Sequence, residues 1–148
     1  MDSLVRTLST VEDMEKEAER FIEALLPESN TGTLITLSGE LGAGKTAFTQ
    51  YIAKALGVGE VVNSPTFVIE KVYGIPEGKR FQRLVHIDAY RLTNSHELTS
   101  LGFGEVMSHP TNLVIVEWPE NVTGITEQAS IRILLEVLPD GSRQITYA

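Results

Sequence analysis

The chain has 148 residues, 42% apolar and 22% charged, a balance that suits one globular domain over residues 1–148 and excludes a disordered polymer. It has no cysteine, which removes disulfides, thiolate zinc sites and cysteine nucleophiles. Its net charge is −8 with 12 scattered basic residues, a poor match for a surface that holds a nucleic-acid backbone and a better one for a protein partner with a basic face.

No apolar run reaches the ~18 residues that a membrane-spanning helix needs. Met1-Asp2-Ser3-Leu4 lacks the basic-then-apolar pattern of a secretory signal, so the expected location is cytoplasmic. Leu4 to Ser9 reads as a short strand. Ser9 with Glu12, or Thr10 with Asp13, then gives capping-box spacing ahead of an amphipathic helix. Val11, Met14, Ala18, Phe21, Ile22 and Leu25 share its apolar face. After a loop at 26–32, the alternating Thr33 to Ser38 suits a strand.

Residues 39–46, Gly-Glu-Leu-Gly-Ala-Gly-Lys-Thr, form a complete G-x-x-x-x-G-K-[ST] phosphate-binding loop. The expected nucleotide cradle is Gly39, Leu41, Gly42, Ala43, Gly44, Lys45, Thr46 and Ala47. Its glycines let backbone N–H groups line an anion site, while Lys45 reaches the β- and γ-phosphates of ATP and the Thr46 hydroxyl takes a place on Mg²⁺. Phe48, Ile52, Ala55 and Leu56 then recur at helical spacing, with Gly57 as a stop. The order strand, loop, helix is the one the chemistry needs, because the helix N-terminus adds its field at the phosphates.

Farther along, Ser64, Pro65 and Thr66 combine two hydroxyls with a stiff backbone, a composition suited to a switch-like segment beside a γ-phosphate. Phe67 to Tyr73 and Phe81 to Ile87 flank a break at Gly74 to Gly78 and read as a hairpin. Asn94 or Ser95 caps a short helix bearing Leu98 and Leu101, stopped at Gly102. Leu113 to Val116 is a continuous apolar strand that ends in Glu117-Trp118-Pro119. Ile131 to Val137 and Gln144 to Tyr147 flank Pro139-Asp140-Gly141-Ser142 as a terminal hairpin. Asp88 and Glu117 both end predicted strands. Ligands in α/β sheets sit beyond strand carboxyl ends, so both acids are candidates to fix metal or water, although an acid there can equally cap a loop. The expected fold is α/β, a P-loop NTPase-like three-layer fold with a mixed, mostly parallel sheet and a C-terminal β-hairpin.

The ordered set of the phosphate loop, Ser64-Pro65-Thr66-Phe67, His86-Ile87-Asp88-Ala89-Tyr90-Arg91-Leu92, Glu97 with Leu101-Gly102, and Glu117-Trp118-Pro119-Glu120 resembles the bacterial TsaE (YjeE) family. These are small ATPases of tRNA threonylcarbamoyladenosine biosynthesis, and the resemblance spans essentially the whole chain. It implies Thr46 and Glu117 as Mg²⁺ ligands, Asp88 as the acid that orients the attacking water, and Lys45 as the catalytic cation. It leaves the adenine-contact residues unassigned. The partners it implies are TsaB and TsaD, which transfer threonylcarbamoyl to adenosine 37 of tRNA, with tRNA met only through that complex and ATP hydrolysis resetting the assembly. A small-molecule kinase needs a second pocket and a lid, for which 148 residues leave little room. A GTP switch lacks its Asn-Lys-x-Asp segment. A nucleotide-gated adaptor without catalysis stays open as a further alternative.

Overall fold

The computed structural model describes residues 4–62, 70–93 and 95–148. Its centre is a seven-stranded mixed sheet. In chain order the strands are β1 (Leu4–Leu8), β2 (Thr33–Gly39), β3 (Glu70–Gly74), β4 (Arg83–Asp88), β5 (Asn112–Glu117), β6 (Ile131–Val137) and β7 (Arg143–Tyr147). Across the sheet they run β1-β7-β6-β2-β5-β4-β3. The four inner strands β6, β2, β5 and β4 are mutually parallel, and β3, β7 and β1 pair antiparallel at the flanks.

Alternation along the inner strands explains why the sheet is covered twice. Ile35, Leu37, Leu84, Leu113 and Ile115 enter one core, with Met14, Ala18 and Phe21 of α1 (Val11–Ala24) and Phe48 and Ile52 of α2 (Lys45–Leu56). Their neighbours Leu34, Val85, Ile87, Val114 and Val116 face the other way, onto Leu98 of α3 (Ser95–Ser100) and onto Phe103 and Val106 of α4 (Phe103–Met107). Every residue of β5 is buried, as its unbroken apolar run requires at the sheet centre. The result is the expected three-layer arrangement.

Local chemistry sets the element ends. Thr10 is the N-cap of α1: its hydroxyl accepts from Asp13 N at 3.0 Å, and Asp13 Oδ2 accepts from Thr10 N at 3.1 Å. Of the two capping alternatives in the sequence, the structure uses this one. Gly57 ends α2 in the left-handed region, its N–H bonded back to Ala53 and Lys54. Gly102 has two roles, following α3 and capping α4, a helix for which the sequence gives little signal.

The terminal hairpin differs from a simple edge addition. Its first strand runs parallel to β2, with Leu37 opposite Ile133, and its second strand carries β1 on its far side. The N-terminal strand is therefore anchored by the C-terminal one. Buried Glu17 of α1 fastens both, accepting from the Tyr147 hydroxyl at 2.7 Å and pairing with Arg6 Nε at 3.5 Å and Arg20 Nη1 at 2.9 Å. Burial and the Glu17 carboxylate push the Tyr147 hydroxyl well above the usual tyrosine range.

Candidate active site

β2 ends at Gly39, where the chain passes so close to β6 that a Cβ would meet Leu135 O at 2.5 Å. Only glycine lets the strand turn into the loop at that distance. The loop then folds on itself, Ala43 N donating to Glu40 O at 3.0 Å, and enters α2 through Gly44, which holds φ +104°. The first amides of α2, at Lys45, Thr46 and Ala47, have no partner inside the helix, a geometry that suits an anion.

Lys45 is buried, only 5% exposed. Its ammonium donates to Gly39 O at 2.6 Å and Glu40 O at 3.0 Å, and lies 4.1 Å from the centroid of the Trp118 ring. Burial lowers its pKa, while Glu117, Glu120 and Asp88 oppose that shift. The cation is thus held in place by two backbone carbonyls and a ring face.

Opposite the loop, β4 and β5 bring Asp88 and Glu117 into register at their carboxyl ends. Glu117 is buried; the Thr46 hydroxyl donates to its Oε1 at 3.4 Å and His86 Nε2 lies 2.5 Å from its Oε2. His86 is fully buried, with Nε2 turned to the Glu117 carboxylate and no hydrogen-bond partner for Nδ1 among the described residues. Asp88 Oδ1 accepts from Tyr90 N at 3.0 Å. Leu41, Gly44, Lys45, Thr46, Asp88 and Trp118 line a common cleft of about 360 Å³.

This donor set fits Mg²⁺ held on a nucleotide. Among the described residues no group of three or more His, Asp or Glu forms an all-protein cage. Mg²⁺ bound to phosphates asks for one or two protein oxygens, and Thr46 with Glu117 offers them side by side.

Trp118 carries the one positive φ among the described non-glycine residues, φ 58°, directly after Glu117. Such a conformation costs about 1–3 kcal/mol and persists where surroundings over-determine it. Here the ring is held between Lys45 and Tyr90, whose ring centroid lies 5.1 Å away. The strain at Trp118 left no signal in the sequence.

On the other side of the loop, a cleft of about 310 Å³ is lined by Leu8, Thr10, Met14, Tyr51, Gly141 and Arg143. Thr10 and Arg143, far apart in sequence, therefore line one cleft beside Gly44. Two contacts were not read from the sequence at all, those of His86 with Glu117 and of Arg143 with the loop. His86 opens the segment His86 to Leu92, but which residue it faces depends on the β4–β5 register. The switch-like Ser64, Pro65 and Thr66 lie outside the described residues.

The family model described as "Threonylcarbamoyl adenosine biosynthesis protein TsaE" matches residues 8–145. This chain belongs to the TsaE family. A relative named tRNA threonylcarbamoyladenosine biosynthesis protein TsaE from Treponema pallidum is 37% identical over 117 residues, covering 79% of this chain and 82% of that protein. The protein of the same name from Bacillus subtilis is 37% identical over 119 residues, 78% of this chain and 69% of its own length. The crystal structure of Bacillus subtilis YdiB superposes with a TM-score of 0.73 at 28% identity, covering 99% of this chain and 84% of that one. TsaE membership assigns the chain to tRNA threonylcarbamoyladenosine biosynthesis. No helix among the described residues is long and apolar enough to cross a membrane.

Proposed function

We propose that this TsaE protein is a Mg²⁺-dependent ATPase that docks on a TsaB–TsaD assembly and hydrolyses ATP to reset it between rounds of threonylcarbamoyl transfer to tRNA. The observation that carries the reading is the preformed phosphate loop, with Lys45 on the Gly39 and Glu40 carbonyls and Thr46 beside Glu117. Thr46 and Glu117 are the residues that would hold Mg²⁺, which when bound neutralises charge developing on the phosphates. Asp88, across from Glu117 at the cleft, orients the water. Lys45 gathers charge on the β- and γ-phosphates, and the first amides of α2 hold the phosphate oxygens. The cleft at Thr10 and Met14 receives the adenine base, and Ser64, Pro65 and Thr66 sense the γ-phosphate.

The partner reading rests on what the site lacks and displays. Leu41 is 78% exposed and Tyr90 57% exposed, both at the mouth of the phosphate cleft. A partner docked there would cover both and exclude water from the reacting phosphate. The net charge of −8 suits a basic partner face. The test is reconstitution with TsaB and TsaD, following complex formation, ATP turnover and tRNA modification together. Modification that runs through repeated rounds only when this chain and ATP are both supplied supports the reading. Repeated rounds without ATP hydrolysis overturn it in favour of a nucleotide-gated adaptor.

A further inference from the structure

We infer that Arg143, on the C-terminal strand β7, is a positioning residue for phosphate binding: it holds the backbone of the phosphate loop in its anion-accepting form. The inference rests on the nucleotide-site reading above and deepens it. Arg143 Nε donates to Ala43 O at 3.1 Å, Nη2 to Gly42 O at 3.3 Å, and Nη1 to Gly141 O at 2.7 Å. The guanidinium is thus anchored by its own hairpin turn and spends its other two edges on consecutive loop carbonyls. Arginine is suited to this, because its planar fork presents several donors at once where lysine offers a single point charge.

The consequence follows from peptide geometry. In a trans peptide the C=O and the following N–H point in opposite directions. Drawing Ala43 O toward Arg143 turns the Gly44 N–H away from it, toward the phosphate cleft that Gly44 also lines. Drawing Gly42 O the same way sets the Ala43 N–H on Glu40 O, the bond that closes the loop on itself. Lys45 performs the same service for Gly39 O and Glu40 O, and Phe48 N for Gly44 O. Carbonyls that would repel phosphate are therefore satisfied within the protein, and two of them depend on one side chain 100 and 101 residues away.

Although Arg143 lines the cleft beside Gly44, its donors already serve three backbone carbonyls. Its effect should reach a ligand that has no base. The decisive probes are ATP and inorganic tripolyphosphate, each with Mg²⁺, titrated into wild type, R143A and R143K, with circular dichroism to confirm the fold. R143A should weaken both ligands alike, by about tenfold or more, the size of one or two lost charge-assisted bonds. R143K should recover part of the loss for both, since an ammonium can satisfy one carbonyl at a time. If R143A does not fold, the intermediate loss in R143K carries the test. Weakened ATP with unchanged tripolyphosphate makes Arg143 a base contact and overturns the inference, as does no loss for either. A wild-type chain that binds neither ligand overturns the nucleotide-site reading itself.

Discussion

Asp88 and Glu117 face each other across adjacent parallel strands, yet the fold treats their carboxylates differently. Glu117 is buried, with one oxygen beside the Thr46 hydroxyl and the other on His86. Asp88 lies nearer solvent and takes a backbone N–H of its own turn. A carboxylate fixed at both oxygens beside the loop hydroxyl is placed to hold a cation. One at the cleft mouth is placed to meet water.

The two acids should therefore fail in different ways. Glu117→Gln should weaken Mg²⁺–ATP binding, with activity partly recovered at higher Mg²⁺. Asp88→Asn should leave binding near normal and slow the chemical step. Mg²⁺ titrations of ATP binding and hydrolysis in both variants check the assignment, and exchanged behaviours would show the roles to be reversed.

Trp118 gives a second test. It is the single tryptophan of the chain and sits on Lys45, so nucleotide entering the cleft should change its emission. Trp118→Phe keeps a ring over the ammonium and should retain most activity. Trp118→Ala removes a contact worth about 0.5–2 kcal/mol and should weaken ATP binding several-fold. Emission unmoved by saturating ATP would argue against a ligand in this cleft.

The Tyr147–Glu17 contact predicts a pH signature. The folded state raises the tyrosine pKa above its ordinary value of 10.0, so above that pH the unfolded chain gives up a proton that the folded chain keeps. Stability is then lost as pH rises past 10, because fewer protons are bound on unfolding. Tyr147→Phe should be less stable at pH 7 by about 1.5–3 kcal/mol, the worth of a hydrogen bond to a charged group. Its deficit should shrink between pH 10 and 11, as wild type alone feels this titration. Denaturant melts of the two proteins across that range decide it, and a constant difference would contradict the coupling.

Association with a basic partner should be faster at low salt and slow as ionic strength rises, since the chain carries −8. Binding of tRNA by the chain alone should be weak for the same reason. Filter binding of tRNA at low and moderate salt measures this directly; tight, salt-sensitive binding without partners would contradict it.

Much of this architecture was legible from local pattern. The strand–loop–helix of residues 33–56, the Thr10 cap and the apolar β5 each carry their own periodicity or end signal, and the structure has them where the pattern puts them. What escaped the sequence depends on pairings between distant segments. Nothing in Ile131 to Val137 says that it lies parallel to β2, or that β1 adds to β7. The burial of Lys45 follows from Trp118 lying over it, 73 positions away, and the roles of His86 and Arg143 follow from strand register and a turn. Periodicity identifies elements; it is silent on which side chain a neighbouring element will meet.

The most direct measurement is ATP hydrolysis by wild type and Lys45→Ala, each alone and with a TsaB–TsaD assembly. Lys45→Ala loses the cation that stabilises charge on the phosphates, so its rate should fall by on the order of a hundredfold or more in a chain that still folds. Wild type alone should hydrolyse ATP slowly, and the assembly should change that rate several-fold. Equal rates in wild type and a folded Lys45→Ala, or a wild-type rate untouched by the assembly, would contradict the account.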